Sequence, residues 1–232
     1  MSIARSARAR AAAGVAGVLA ATVAVIVVAQ TAGRALLERV LPAALATVGV
    51  VALQSALLVA VAFAATSDRP GLLRWRRPTR RDWLAVFGTL AAMGALVALL
   101  AGLNALGVPT GGNRVDAAAR PGALASLLLA AVAVLGIGPG EELVFRGVVQ
   151  GVLARAVSAR AAVAWAAVCF GGLHALAVTG SSLGVLVYLA FASLLGAALG
   201  WSYEATGNLL VPVLAHGGYD AVQFLLQYAG LP

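Results

Sequence analysis

Lysine does not occur in this chain, cysteine occurs once and histidine twice, and only 10% of the residues carry charge. The single Cys169 excludes an intrachain disulfide and leaves the redox compartment open. Scarce charge beside 62% hydrophobic residues excludes an ordinary soluble core, because long uncharged runs recur as they do in polytopic membrane proteins. All sixteen basic residues are arginines, and the net charge is +8. That balance can suit nucleic acid, but the arginines sit in the gaps between apolar runs. They read as a membrane-topology signal, so the expected partner is the lipid bilayer and no nucleic acid. No internal repeat and no low-complexity segment is present.

What is there is a succession of apolar runs. The length of 232 residues suits one helical membrane domain and is short for an additional soluble one. The expected fold class is all-α, a polytopic transmembrane helical bundle of about seven to eight helices. The first run, Ala11 to Gln30, follows Arg5, Arg8 and Arg10. About twenty residues span a hydrocarbon core of about 30 Å, and no convincing cleavage site follows, so the run reads as a signal anchor. Further runs lie at Leu41 to Ala65, Leu84 to Leu106, Pro121 to Gly138, Ala161 to Val178, Leu183 to Tyr203 and Leu209 to Tyr228. The segment Pro139 to Ser158 is one more helix candidate. Residues 1–120 then hold N-terminal transmembrane helices, and 121–232 hold the chemistry within the same membrane domain.

Six arginines fall in "SDRPGLLRWRRPTRRDW". The positive-inside rule keeps this loop in the cytoplasm together with the N-terminus of an integral protein, expected to reside in a bacterial cell membrane. Counting crossings puts "GVPTGGNRVDAAARPG" outside and brings "GPGEELVFRG", residues 138–147, out near the cytoplasmic face. A buried site beneath a cytoplasmic opening is therefore expected. Trp165, Trp201 and Tyr203 read as interfacial anchors, and Glu204 and Asn208 as solvated or capping residues.

Two adjacent carboxylates and an arginine are costly in such surroundings. Pro139 suits the first turn of a helix, which predicts a helix restarting there with Glu141 and Glu142 in its first turn. Arg146, four residues after Glu142, is placed for a helical ion pair. Glu141 is rotated by about 100° from Glu142 and cannot share that partner equally. Both histidines lie in apolar runs as well. Phe170 and His174 in "FGGLH", and His216 and Asp220 in "HGGYD", are each four residues apart and share a helix face. Gly171, Gly172, Gly217 and Gly218 would let neighbouring helices approach, so the polar groups of three helices can converge on one cavity. Taken singly, the Glu142–Arg146 pair is also consistent with a structural ion pair, and Phe170 with core packing.

Together, "EELVFRG", "FGGLH" and "HGGYD" resemble the E-E-x-x-x-R, F-x-x-x-H and H-x-x-x-(N/D) motifs of the CPBP family, also called the Abi or type II CAAX prenyl endopeptidase family of intramembrane proteases. The resemblance covers roughly Gly138 to Asp220. It implies a membrane endopeptidase acting on a membrane-associated peptide or protein, with Glu141 activating water and His174 sharing that task. It also implies that His216 and Asp220 stabilise the oxyanion, while Glu142 and Arg146 hold the site together and Phe170 supports it. Asp stands at position 220 where Asn is usual in the family. An ionised Asp cannot donate to an oxyanion, so Asp220 is protonated, orients His216 or binds metal.

The chemistry needs no covalent nucleophile. Cys169 lies on a different helix face from His174, and Ser181 and Ser182 lie in a loop. Two versions stay open: a metal-free Glu141–His174 base pair, or a Zn²⁺ held by Glu141, His174 and His216 with water in the open position. HExxH is absent, which favours the metal-free version, with no cofactor. Two other classes of function fit the same residues: a catalytically silent scaffold or bacteriocin-immunity protein of the same fold, and a proton-coupled transporter. The transporter reading lacks the inverted repeat and paired broken helices it would need.

Overall fold

The computed structural model describes residues 2–69, 71–115 and 122–231. Among the described residues the chain forms seven helices and one short β-ribbon. Helix α1 runs from Ser2–Val28 through a π-turn at Ala29–Gly33 into Arg34–Leu37. It is followed by α2 (Ala43–Thr66), α3 (Arg80–Ala105), α4 (Ala123–Leu153), α5 (Ala159–Leu173), α6 (Ser182–Thr206) and α7 (Leu210–Tyr228). The first six are long and apolar enough to cross a membrane. Helix α7 is not among those six, because His216, Asp220, Gln223 and Gln227 interrupt its apolar surface. It packs against α3, α4 and α6, so these polar groups face protein and cavity. The expected start of the fourth span, Pro121, and the second half of the loop before it lie outside the described residues.

The expected helix restart at Pro139 does not occur. The backbone stays helical through Ile137 (φ −61°, ψ −58°) and Gly138 (φ −52°, ψ −55°), and the residues on both sides of Pro139 belong to one long helix. A π-turn at Ala133–Ile137 lies immediately before the proline, where a changed hydrogen-bond register accommodates the missing N–H. A second π-turn, Leu143–Gln150, follows, and all eight of its residues are buried. Pro139 to Ser158 is thus no separate helix, and Glu141 and Glu142 lie in mid-helix, where the dipole at a helix N-terminus gives them no support.

The helices approach most closely at glycines. A Cβ on Gly138 would lie 2.7 Å from the Val213 carbonyl oxygen, and one on Gly217 would lie 2.8 Å from that of Ala133, which locks α4 against α7. A Cβ on Gly171 would lie 2.7 Å from the Leu189 carbonyl oxygen, so α5 and α6 meet backbone to backbone. The neighbouring Gly172 has open space, and Gly218 meets only the tip of Leu90.

The two ends of the bundle differ. At one end the arginine-rich loop folds down onto the helices. Leu72 is buried against Gly151, and the Tyr203 hydroxyl donates to the Leu72 carbonyl at 3.2 Å. The Asn208 carboxamide accepts from the Arg76 N–H at 3.2 Å and donates to the Arg76 carbonyl at 3.1 Å. Asp82, wholly buried, takes the Arg76 guanidinium at 3.0 Å and the Thr79 N–H at 2.7 Å in a capping box for α3. Tyr203 therefore differs from the expected interfacial anchor, and Asn208 is a capping residue but not a solvated one. Both are buried, because each satisfies backbone groups of a loop about 130 residues away in sequence. Asn208 also caps α7 through Leu210 N–H, while Trp165, Trp201 and Glu204 are exposed as expected.

At the opposite end, β1 (Gly112–Asn113) pairs antiparallel with β2 (Val178–Thr179). Gln30 on α1 bonds Gln54 on α2 at 3.1 Å, and Arg34 pairs with Glu38 at 3.2 Å.

Candidate active site

Helix α4 presents its two carboxylates in different directions, as a rotation of about 100° requires. Glu142 points into the bundle and is completely buried, whereas the Glu141 side chain keeps 19% exposure and lines a cavity. One turn on, Arg146 donates from Nη1 to Glu142 Oε1 at 2.8 Å and from Nη2 to the Gly196 carbonyl at 2.7 Å. Its guanidinium lies 4.7 Å from the centre of the Phe170 ring, a cation–π contact between α4 and α5. A further turn on, Gln150 donates to the Gly200 carbonyl at 3.1 Å. Arg146 and Gln150 thus form two rungs against α6, at glycines spaced by the same four residues.

Helix α7 brings His216 to the same place. Its Nδ1 lies 2.8 Å from Glu142 Oε1, so this one oxygen serves both Arg146 and His216. An imidazole held through Nδ1–H to a carboxylate turns Nε2 outward. Here Nε2 lies 3.5 Å from Asp220 Oδ2 and 4.0 Å from Glu141 Oε2. Glu142 Oε2 is buried and has no hydrogen-bond partner among the described residues.

His174 sits where α5 passes into a 3₁₀ turn, with Nδ1 at 2.8 Å from the Phe170 carbonyl oxygen. Donation to that carbonyl fixes the tautomer and leaves Nε2 as an acceptor. The Phe170 ring touches both imidazoles, with centroids 4.7 Å from His174 and 5.6 Å from His216. Phe145 packs edge-on against it at 5.1 Å. Phe170 thus packs in the core and also spaces the two histidines.

Glu141, His174, His216 and Asp220 all line a single cavity of about 1230 Å³. Its floor is made by buried Phe145, Met93 and Leu199, and its rim includes exposed Arg114, Gly230 and Leu231. Among the described residues of the arginine-rich loop, none lines it. The opening expected beside the arginine-rich end is therefore found at the opposite end.

The three motifs are brought together as the sequence indicated, while Gln150, Gly196, Gly200 and Tyr188 were not foreseen. Tyr188 lines the cavity beside His174, its ring centroid 6.2 Å away, and bonds Asn113 at 3.2 Å. The matching four-residue spacings of Arg146/Gln150 and Gly196/Gly200 were a signal for the ladder, but nothing in sequence marks Tyr188.

The zinc alternative can be compared with the donors. Among the described residues no group of three or more His, Cys, Asp or Glu is arranged to hold a metal ion. Within the trio Glu141, His174 and His216, the last holds Nδ1 to Glu142 and turns Nε2 toward Glu141 and Asp220, and the Phe170 ring meets both imidazoles at steep angles.

No curated protein and no solved structure matches the chain. The family model described as type II CAAX prenyl endopeptidase Rce1-like matches residues 123–222, which contain every motif side chain at the cavity. With six helices able to cross a bilayer, the protein is an integral membrane protein, and its residues 123–222 are similar to the Rce1-like, CPBP family.

Proposed function

We propose that the protein is an intramembrane endopeptidase of the glutamate type, which hydrolyses a peptide bond of a membrane-associated polypeptide with water activated by Glu141. The observation that supports this most is the division of labour between adjacent carboxylates. Glu142 is spent on Arg146 and His216 inside the bundle, while Glu141 faces the cavity 4.0 Å from His216 Nε2.

In the proposed reaction, water sits between Glu141 and the substrate carbonyl. The Glu141 carboxylate takes a proton as the water oxygen attacks the carbonyl carbon. His174, with Nε2 free to accept, positions the same water. The oxyanion of the tetrahedral intermediate accepts a hydrogen bond from Nε2–H of protonated His216, which Glu142 holds at Nδ1 and Asp220 orients from the cavity side. Collapse breaks the C–N bond, and the proton held by Glu141 passes to the departing amine. Arg146 holds Glu142 in place through its Nη1–Oε1 bond and touches no substrate. No step passes through a metal.

Comparing peptide termini in membranes from cells with wild-type protein and cells with Glu141→Ala at equal expression tests the reading. Termini that require Glu141 are expected. Their absence, while the variant still complements a deletion, would show that the site serves a silent scaffold.

A further inference from the structure

The two ends of the bundle carry unequal charge as well as unequal packing. By sequence position, Arg5, Arg8, Arg10, Arg69, Arg74, Arg76, Arg77, Arg80, Arg81, Arg155 and Arg160 flank one end, and only Arg34, Arg39, Arg114 and Arg120 flank the other. Contacts join the segments that carry most of the first group. The start of α1 packs against the last turn of α4, Gly14 lies beside Arg69, and the arginine-rich loop is bonded to residues 203–209. Loops this short obey the positive-inside rule, so that face is cytoplasmic.

It is also the closed face. Leu72, Tyr203, Asn208 and Asp82 close it with buried apolar contact and hydrogen bonds to the loop backbone. The catalytic cavity rises instead to Arg34, Arg114, Leu176 and Leu231 at the arginine-poor end. We propose that the cavity takes its substrate from the extracytoplasmic face, and that the substrate is the juxtamembrane segment of an exported, membrane-held polypeptide. The substrate class rests on the peptidase reading above; the direction of access does not. A membrane anchor explains why the site is sunk in the bundle, since a segment next to an anchor lies at bilayer depth. The lining sets apolar Leu100, Leu173 and Phe224 beside the polar side chains of Gln54, Gln223 and Gln227, a mixture that suits an extended segment with its backbone groups exposed. A cytoplasmic protein with a lipidated tail would meet the sealed face.

Single cysteines in a Cys169→Ala background test the direction of access with a membrane-impermeant sulfonated maleimide. Leu176→Cys, in the cavity beside His174, and Leu231→Cys, exposed at the rim beyond the last helix, are expected to react in intact cells. Trp75→Cys, exposed on the arginine-rich loop, is expected to react only after permeabilisation, with a rate at least about tenfold lower before it. Leu231→Cys gives the readout if Leu176→Cys fails to accumulate. Labelling of the rim cysteines only after permeabilisation, or of Trp75→Cys in intact cells, overturns the proposal. Labelling needs no catalysis, so a failed orientation is distinguishable from a failed peptidase reading. Where Glu141-dependent termini are found, they are expected in outward-facing segments of exported proteins; termini in cytoplasmic tails overturn the substrate class.

Discussion

The arginine-rich end and the cavity end are built from the same seven helices, yet one is sealed and the other holds a cavity of about 1230 Å³. At the sealed end, polar side chains complete a folded loop: Asn208, Tyr203 and Asp82 each satisfy backbone or guanidinium groups. At the cavity, Glu141, His174 and Asp220 line the void with partial exposure, while Glu142, Arg146 and Gln150 behind them are enclosed and His216 is buried at its edge. The enclosed Glu142 and Arg146 thus resemble the polar groups of the sealed end in being bonded within the protein, whereas Glu141 borders the void. Glu141 and Glu142, adjacent in sequence, fall on opposite sides of that division.

Six variants would break or sharpen this contrast, beginning with the largest effect. Glu141→Ala removes the proposed general base and is expected to lower substrate cleavage by about 10²–10⁴-fold. The folded yield in detergent should stay unchanged, because the side chain borders a cavity; a cleavage assay beside a gel-filtration profile checks both. Arg146→Ala strands a buried carboxylate and should destabilise by about 3–5 kcal/mol, seen as loss of monodisperse protein on heating. Replacing Glu142 and Arg146 together with leucines should recover much of that stability but no activity, since His216 loses its orienting partner.

Gly217→Ala sets a Cβ 2.8 Å from the Ala133 carbonyl oxygen and should cost about 1–3 kcal/mol while moving His216 away from α4. Its cleavage rate should fall further than that of Gly218→Ala, where only the end of Leu90 is near. At the sealed end, Asn208→Ala leaves buried backbone groups of Arg76 unpaired. A cost of about 1–3 kcal/mol and faster proteolysis within the arginine-rich loop are expected, with catalytic rate in the surviving folded fraction little altered.

Much of this was legible in sequence, for physical reasons. Apolar runs and arginine gaps give the helices, because bilayer thickness fixes their length. Four-residue spacing gives the pairs Glu142–Arg146 and His216–Asp220, because helix geometry fixes which residues share a face. What stayed hidden depended on long-range contact. The side on which the helices seal is decided by Asn208 and Tyr203 meeting a loop about 130 residues away. Pro139 read as a helix start because a π-turn that accommodates proline has no local signature. The contact of His216 with Glu142 crosses 74 residues, so the sequence could pair His216 with Asp220 but not with the carboxylate it touches most closely.

The most direct test of the central claim is cleavage by purified protein of a peptide spanning the mapped bond, in the presence of a strong chelator, for wild type and Glu141→Gln. Retained cleavage by wild type and loss in the variant are the predicted result, since the glutamine keeps the shape but cannot take a proton. Cleavage that survives in Glu141→Gln, or that the chelator abolishes in wild type, would contradict the account.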